Sequence, residues 1–177
     1  MYRIIAVCTG NICRSPMAEF SLARAFSEAG LGSEVRVESA GISDWEAGRP
    51  MDDRAADELL RHGFEAGPLR AFRARMFEAG WFPGLDLILA LDHGHLEYLQ
   101  ALAPNRAARD KIRLLRSFDP AVSTAPGSPA PAALDIEDPW YGDRSDFDSA
   151  FTLIEAAVPS VVRHVRTALD SRAGSGR

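Results

Sequence analysis

The chain has 177 residues, 46% hydrophobic and 25% charged, which is enough to bury one full core and short for two domains. A formal net charge of -5 would repel a phosphate backbone, and apolar runs such as Leu85 to Leu91 fall far below the roughly 20 residues that cross a bilayer. Neither nucleic acid nor a membrane is expected as a partner.

Two cysteines and four histidines cannot build a disulfide framework or a tetrahedral zinc site, so no metal or other cofactor is expected. Arg3 is followed only by Ile4 to Val7 before polar residues begin, too short for the apolar part of a secretory signal. The expectation is a cytoplasmic protein.

In chain order, Arg3 to Val7 reads as a β-branched strand that closes on Cys8-Thr9-Gly10-Asn11. A helix follows, with Ser15 as its N-cap, Pro16 in its first turn, an apolar stripe through Phe20, Leu22, Ala23 and Phe26, and a stop at Gly30. Glu34 to Glu38 alternates as a second strand, and Asp53 to His62 reads as a helix ended by Gly63. Leu85 to Leu91 is a nearly continuous buried strand.

His93 to Leu102 is helical and stops before Pro104; His93 and His95 are read as facing solvent. Lys111 to Leu115 is a fourth strand, Pro120 to Pro131 a mobile surface loop, and Phe147 to Leu169 a helix that Pro159 should kink or break. Strands separated by helices predict an α/β fold: a single domain with a four-stranded parallel sheet, helices on both faces, and a phosphate-binding loop after the first strand. The domain is placed at residues 1–170, with a flexible Gly/Ser-rich tail at 171–177.

The central signal is Cys8-Thr9-Gly10-Asn11-Ile12-Cys13-Arg14-Ser15, a cysteine and an arginine separated by five residues between a strand and a helix. Five residues can wrap their N–H groups around one tetrahedral anion, with the positive end of the helix behind them. The same dipoles stabilise a thiolate at Cys8, which can attack phosphorus. Arg14, at the far end of the loop, offers a planar fork that can hold two phosphoryl oxygens. Gly10 permits close backbone approach, Asn11 tolerates a left-handed conformation, and the Ser15 hydroxyl can donate to the sulfur as it becomes the leaving group.

Val7-Cys-Thr-Gly-Asn-Ile-Cys-Arg-Ser-Pro-Met-Ala-Glu19 resembles the N-terminal signature of the low-molecular-weight protein tyrosine phosphatases, bacterial members included. The likeness continues through Glu38-Ser-Ala-Gly41, Asp44-Trp45, Gly48-Arg-Pro50, Asp53-Arg54, His62-Gly63, Ala74-Arg75 and Ala90-Leu-Asp92, and closes with Asp138-Pro-Trp-Tyr-Gly142. It implies a metal-independent hydrolase that forms a phosphocysteine and acts on phosphotyrosine in proteins. By the same resemblance Asp138 is the general acid, presented by a loop that Pro139 stiffens, while Trp45, Trp140 and Tyr141 wall the substrate pocket.

Phe72 and Met76 depart from the pattern, standing where many relatives carry His and Gln; that His normally braces the loop Asn. Asn11, Ser15 and Ser39 are left to build part of the network. Asp92 and Glu19 are open to two readings, orientation of Arg14 or nearby backbone, or simple capping and surface roles.

Cys13 sits five residues from Cys8 and is read as a redox partner that can close a disulfide on an oxidised nucleophile, as in relatives with the same pair. Three other readings compete. Arsenate reductases share the fold but need two further cysteines, and none follows Cys13. Arginine phosphatases place Thr where Ile12 stands and a smaller residue beside the acid. A non-catalytic phosphotyrosine binder would not need Cys8, Arg14 and Asp138 together.

Overall fold

The computed structural model describes residues 1–122 and 131–174. Most of the Pro-rich stretch read as a mobile loop, and the last three residues of the tail, lie outside the described residues.

The β-branched start of the chain forms β1 (Tyr2–Cys8), and the sheet grows on both sides of it in the order β2-β1-β3-β4, with every pairing parallel. The partners are β2 (Val35–Gly41), β3 (Leu87–Ala90) and β4 (Ile112–Leu114). Side chains alternate across a strand, so β1 sends Ile4, Ala6 and Cys8 into one layer and Ile5 and Val7 into the other.

On the first face lie α1 (Arg14–Glu28), α2 (Asp53–Arg61), α3 (Ala66–Ala71) and the long α6 (Arg144–Gly174). Met17, Leu22 and Phe26 of α1 pack with Ile154, Val158 and Val161 of α6 over the sheet. All six are buried, and each such side chain contributes about 2 kcal/mol of hydrophobic stabilisation. The second face carries α4 (His93–Leu102) and the short α5 (Arg106–Arg109), with Leu99 and Ala108 packed against Ile88, Ile112 and Leu114.

The helices differ from the sequence reading in four details. The helical N-cap position is Cys13, with no side-chain cap, because the Ser15 hydroxyl is spent on Cys8, Asn11 and Ala40. Helix α6 is unbroken at Pro159: Ala157, Val158, Val161 and Val165 are buried on either side of it, and their packing outweighs the roughly 3 kcal/mol that proline costs a helix interior. The same helix continues to Gly174, into the stretch read as a tail. Helices α3 and α5 went unread, being too short to show a period. Among the described residues no helix is long and apolar enough to cross a membrane.

Candidate active site

Strand β1 continues to β2 on one side and lies against β3 on the other, so its carboxyl end opens into the crevice where an α/β sheet binds ligands. The chain leaves β1 at Cys8, loops through residues 9–13 and enters α1. The loop's carbonyls are tied outward: those of Cys8, Thr9 and Ile12 accept from the N–H groups of Ile42, Ser43 and Asp52 at 2.9, 3.1 and 2.9 Å. Among the described residues, no backbone N–H from Thr9 to Cys13 donates to a protein acceptor. A ring of unspent donors at a helix N-terminus is what a tetrahedral oxyanion requires.

Two residues hold that shape. Asn11 is left-handed at φ 58, a strain that its carboxamide offsets by donating to Ser15 Oγ and Ser39 Oγ at 2.9 and 2.8 Å and accepting from the Arg75 N–H at 2.9 Å. Gly41 lies directly beneath the loop, where a Cβ would meet the Thr9 carbonyl oxygen at 2.6 Å. Ser39 Oγ donates to Glu19 Oε2 at 2.5 Å, while Phe72 turns into the core against Phe20. Burial pushes the Glu19 carboxyl up from its ordinary value despite the Ser39 hydrogen bond and the Arg75 charge.

Cys8 Sγ stands 3.0 Å from Ser15 Oγ, and the same hydroxyl has the Ala40 carbonyl 3.2 Å away. A thiolate can only accept, so ionised Cys8 takes the Ser15 proton for its own hydrogen bond. Arg14 is almost wholly buried, and both of its terminal nitrogens are engaged. Its Nη1 donates to Asp92 Oδ2 and the Ile136 carbonyl at 2.8 and 2.9 Å, and its Nη2 to Asp138 Oδ2 and Thr9 Oγ1 at 2.8 and 3.3 Å.

Asp92 fills both of the roles left open: it orients Arg14 and caps α4 through the His95 N–H at 2.9 Å. Burial would raise its pKa, but hydrogen bonds from His95 and the Arg14 charge hold it well below the usual carboxylate range. The solvent-facing reading of His95 is corrected. This side chain is buried, 3.0 Å from Thr9 Oγ1 through Nε2, because α4 turns it toward the phosphate loop. His93 is partly buried and paired with Asp135.

A cleft of about 170 Å³ stands over Cys8, lined by the loop residues Thr9, Gly10, Ile12, Cys13 and Arg14, and by Trp45, Glu46, Asp138, Trp140 and Tyr141. Every residue assigned to the pocket rim is therefore at its mouth, with Trp45 and Tyr141 79% and 93% exposed. Their open faces suit an aromatic substrate, and their exposure argues against simple packing. Cys13 is buried, and burial, with the charges of Asp52, Cys8 and Asp138, pushes its thiol far up. Glu46 had no sequence signal. Among the described residues one group of potential metal ligands, Glu58, His62 and Asp148, lies between α2 and α6 and includes none of the cleft residues.

A donor-lined loop with a cysteine at its floor, an arginine and an aspartate above it, and aromatic walls defines a cysteine-dependent phosphatase. The comparisons with known proteins agree. The model of the low molecular weight phosphotyrosine protein phosphatase family matches residues 3–171, and the chain belongs to that family. It is 43% identical over 172 residues to a low molecular weight protein-tyrosine-phosphatase of Streptomyces coelicolor, covering 97% of this chain and 98% of the relative. It is 44% identical over 155 residues to low molecular weight protein-tyrosine phosphatase A of Mycobacterium tuberculosis, covering 88% and 86%. Among solved structures, a protein tyrosine phosphatase of Entamoeba histolytica superposes with a TM-score of 0.82 at 23% identity, covering 95% and 99%, a likeness of fold.

Proposed function

We propose that this chain is a cytoplasmic protein tyrosine phosphatase that works without metal through a phosphocysteine at Cys8. One juxtaposition carries the reading: Cys8 Sγ, stabilised by Ser15 at 3.0 Å, lies on the floor of the cleft where Arg14 and Asp138 meet at 2.8 Å.

The chemistry follows from those groups. The phosphoryl oxygens take the loop N–H groups, and the Arg14 fork turns to them, leaving Asp138 free to face the bridging oxygen. The Cys8 thiolate attacks phosphorus, the P–O bond breaks, and protonated Asp138 gives its proton to the phenolate leaving as tyrosine. Asp138, now a carboxylate, takes a proton from water as that water attacks phosphorus. The S–P bond breaks, phosphate departs, and the thiolate returns with the Ser15 hydroxyl donating to it.

Ile12 at the wall and the exposed rings of Trp45, Trp140 and Tyr141 favour a phosphoaryl group over the planar phosphoguanidinium of phosphoarginine. A single phosphatase domain placed at residues 1–170, with its last helix running on to Gly174, and phosphotyrosine proteins as partners, belong to the same reading. Phosphate release from matched phosphotyrosine, phosphoarginine and phosphoserine peptides, with chelator present, tests it. Preference for phosphotyrosine is expected, and preference for phosphoarginine would transfer the assignment.

A further inference from the structure

We infer that Arg54 is a positioning residue that fastens the Asp138 loop to the flank of the phosphate loop, and so sets the reach of the acid toward the leaving oxygen. The inference rests on the proposed role of Asp138.

Arg54 is gripped from one side by Asp52. Its backbone N–H and Nε donate to Asp52 Oδ1 at 2.9 and 3.0 Å, and Nη2 donates to Oδ2 at 3.1 Å. Asp52 is itself hung on the phosphate loop, since its N–H donates to the Ile12 carbonyl at 2.9 Å. On its other side the guanidinium reaches the acid loop: Nη1 donates to the carbonyls of Trp140 and Gly142 at 3.2 and 3.1 Å, and Nη2 also to that of Trp140 at 3.2 Å. Its plane lies over Phe147, with 4.6 Å to the ring centroid. Charge-assisted bonds from one rigid fork therefore join two loops that never pair backbone to backbone among the described residues.

The place of those carbonyls gives the clasp its consequence. Residues Pro139–Tyr141 form one tight turn, capped by Asp138, whose Oδ1 accepts from the Trp140 N–H at 3.2 Å. Before the turn the chain is held at Ile136, through Leu91 and Arg14. After it, Arg54 grips the backbone. The direct pair between Arg14 and Asp138 must open when Arg14 turns to the phosphoryl oxygens. The Arg54 contacts touch no catalytic group and persist, so they hold the turn while the proton moves. Lysine, a point charge, cannot span a carboxylate and two carbonyls at once.

The test compares wild type, Arg54→Ala, Arg54→Lys, Asp138→Asn and the Arg54→Ala/Asp138→Asn double variant on aryl phosphates spanning a range of leaving-group acidity. Inorganic phosphate inhibition reports the state of the cradle, and Arg54→Lys serves if the alanine variant folds poorly. Both Arg54 variants should lose roughly tenfold or more in kcat/KM with poor leaving groups and less than about threefold with activated ones, with phosphate inhibition little changed. In the Asp138→Asn background, Arg54→Ala should cost less than about threefold more, since there is no acid left to position.

An equal loss across the leaving groups, or multiplied losses in the double variant, would overturn the role of Arg54 while leaving a steep Asp138→Asn dependence intact. A flat Asp138→Asn dependence would instead remove the acid, and the clasp with it.

Discussion

Arg14 Nη2 stands 2.8 Å from Asp138 Oδ2, so the residue assigned to the phosphoryl oxygens also holds the residue assigned to the leaving oxygen. Both nitrogens of the fork are used in this arrangement, on Asp92, Ile136, Thr9 and Asp138. Arg14→Lys keeps the charge and loses the geometry. We expect turnover of aryl phosphates to fall by about a hundredfold or more, the loss seen when one preorganised donor is removed from a developing oxyanion. Steady-state rates within tenfold of wild type would show that charge alone suffices at this position.

Cys13 lies in the same loop as the proposed nucleophile, and its burial, with Asp52 and Asp138 nearby, favours its thiol form. Peroxide should convert the Cys8 thiolate to a sulfenic acid, and Cys13 should then displace water from it to form a disulfide that thiols reverse. Cys13→Ser is expected to stay active when reduced but to regain little activity with dithiothreitol after peroxide. Recovery equal to wild type would assign Cys13 to packing alone.

Glu19 braces Ser39 from a partly buried site, and that burial raises its carboxyl value. A raised folded value means that the protonated form is favoured in the fold. Its contribution is full below the unfolded value of about 4.3 and is lost as pH rises through the raised folded one. Glu19→Gln keeps an acceptor for Ser39 and cannot ionise. It should match wild type near pH 4 and exceed it in stability at pH 7, read from urea unfolding midpoints across that range. Parallel pH profiles for the two proteins would contradict this.

The sequence showed most clearly what is contiguous. The phosphate loop from Cys8 to Ser15 is one uninterrupted motif, and the four strands are short apolar or alternating runs whose existence was read correctly. Their ends were not: β2 runs on to Gly41 because the phosphate loop rests on that glycine, a contact with no local signature. The supporting shell was hidden for the same reason. His95 meets Thr9 across 86 residues, and Arg54 meets Trp140 across 86. His95 and Arg54, taken alone, look like ordinary helix residues, and only the packing of α4 and α2 beside the loop brings them to Thr9 and Trp140. Pro159 misled in the opposite direction, because a strong local rule yielded to buried side chains on both flanks.

Phosphate is expected to pass to Cys8 before it reaches water. Rapid quenching of the wild type in acid during turnover of a labelled phosphotyrosine peptide, followed by digestion and mass analysis, reads this directly. A phosphorylated peptide at Cys8 should build within one turnover and decay, and should be absent from Cys8→Ser, which should still bind vanadate while losing turnover. Turnover by Cys8→Ser at a rate near that of wild type, with no phosphocysteine in the wild type, would contradict it.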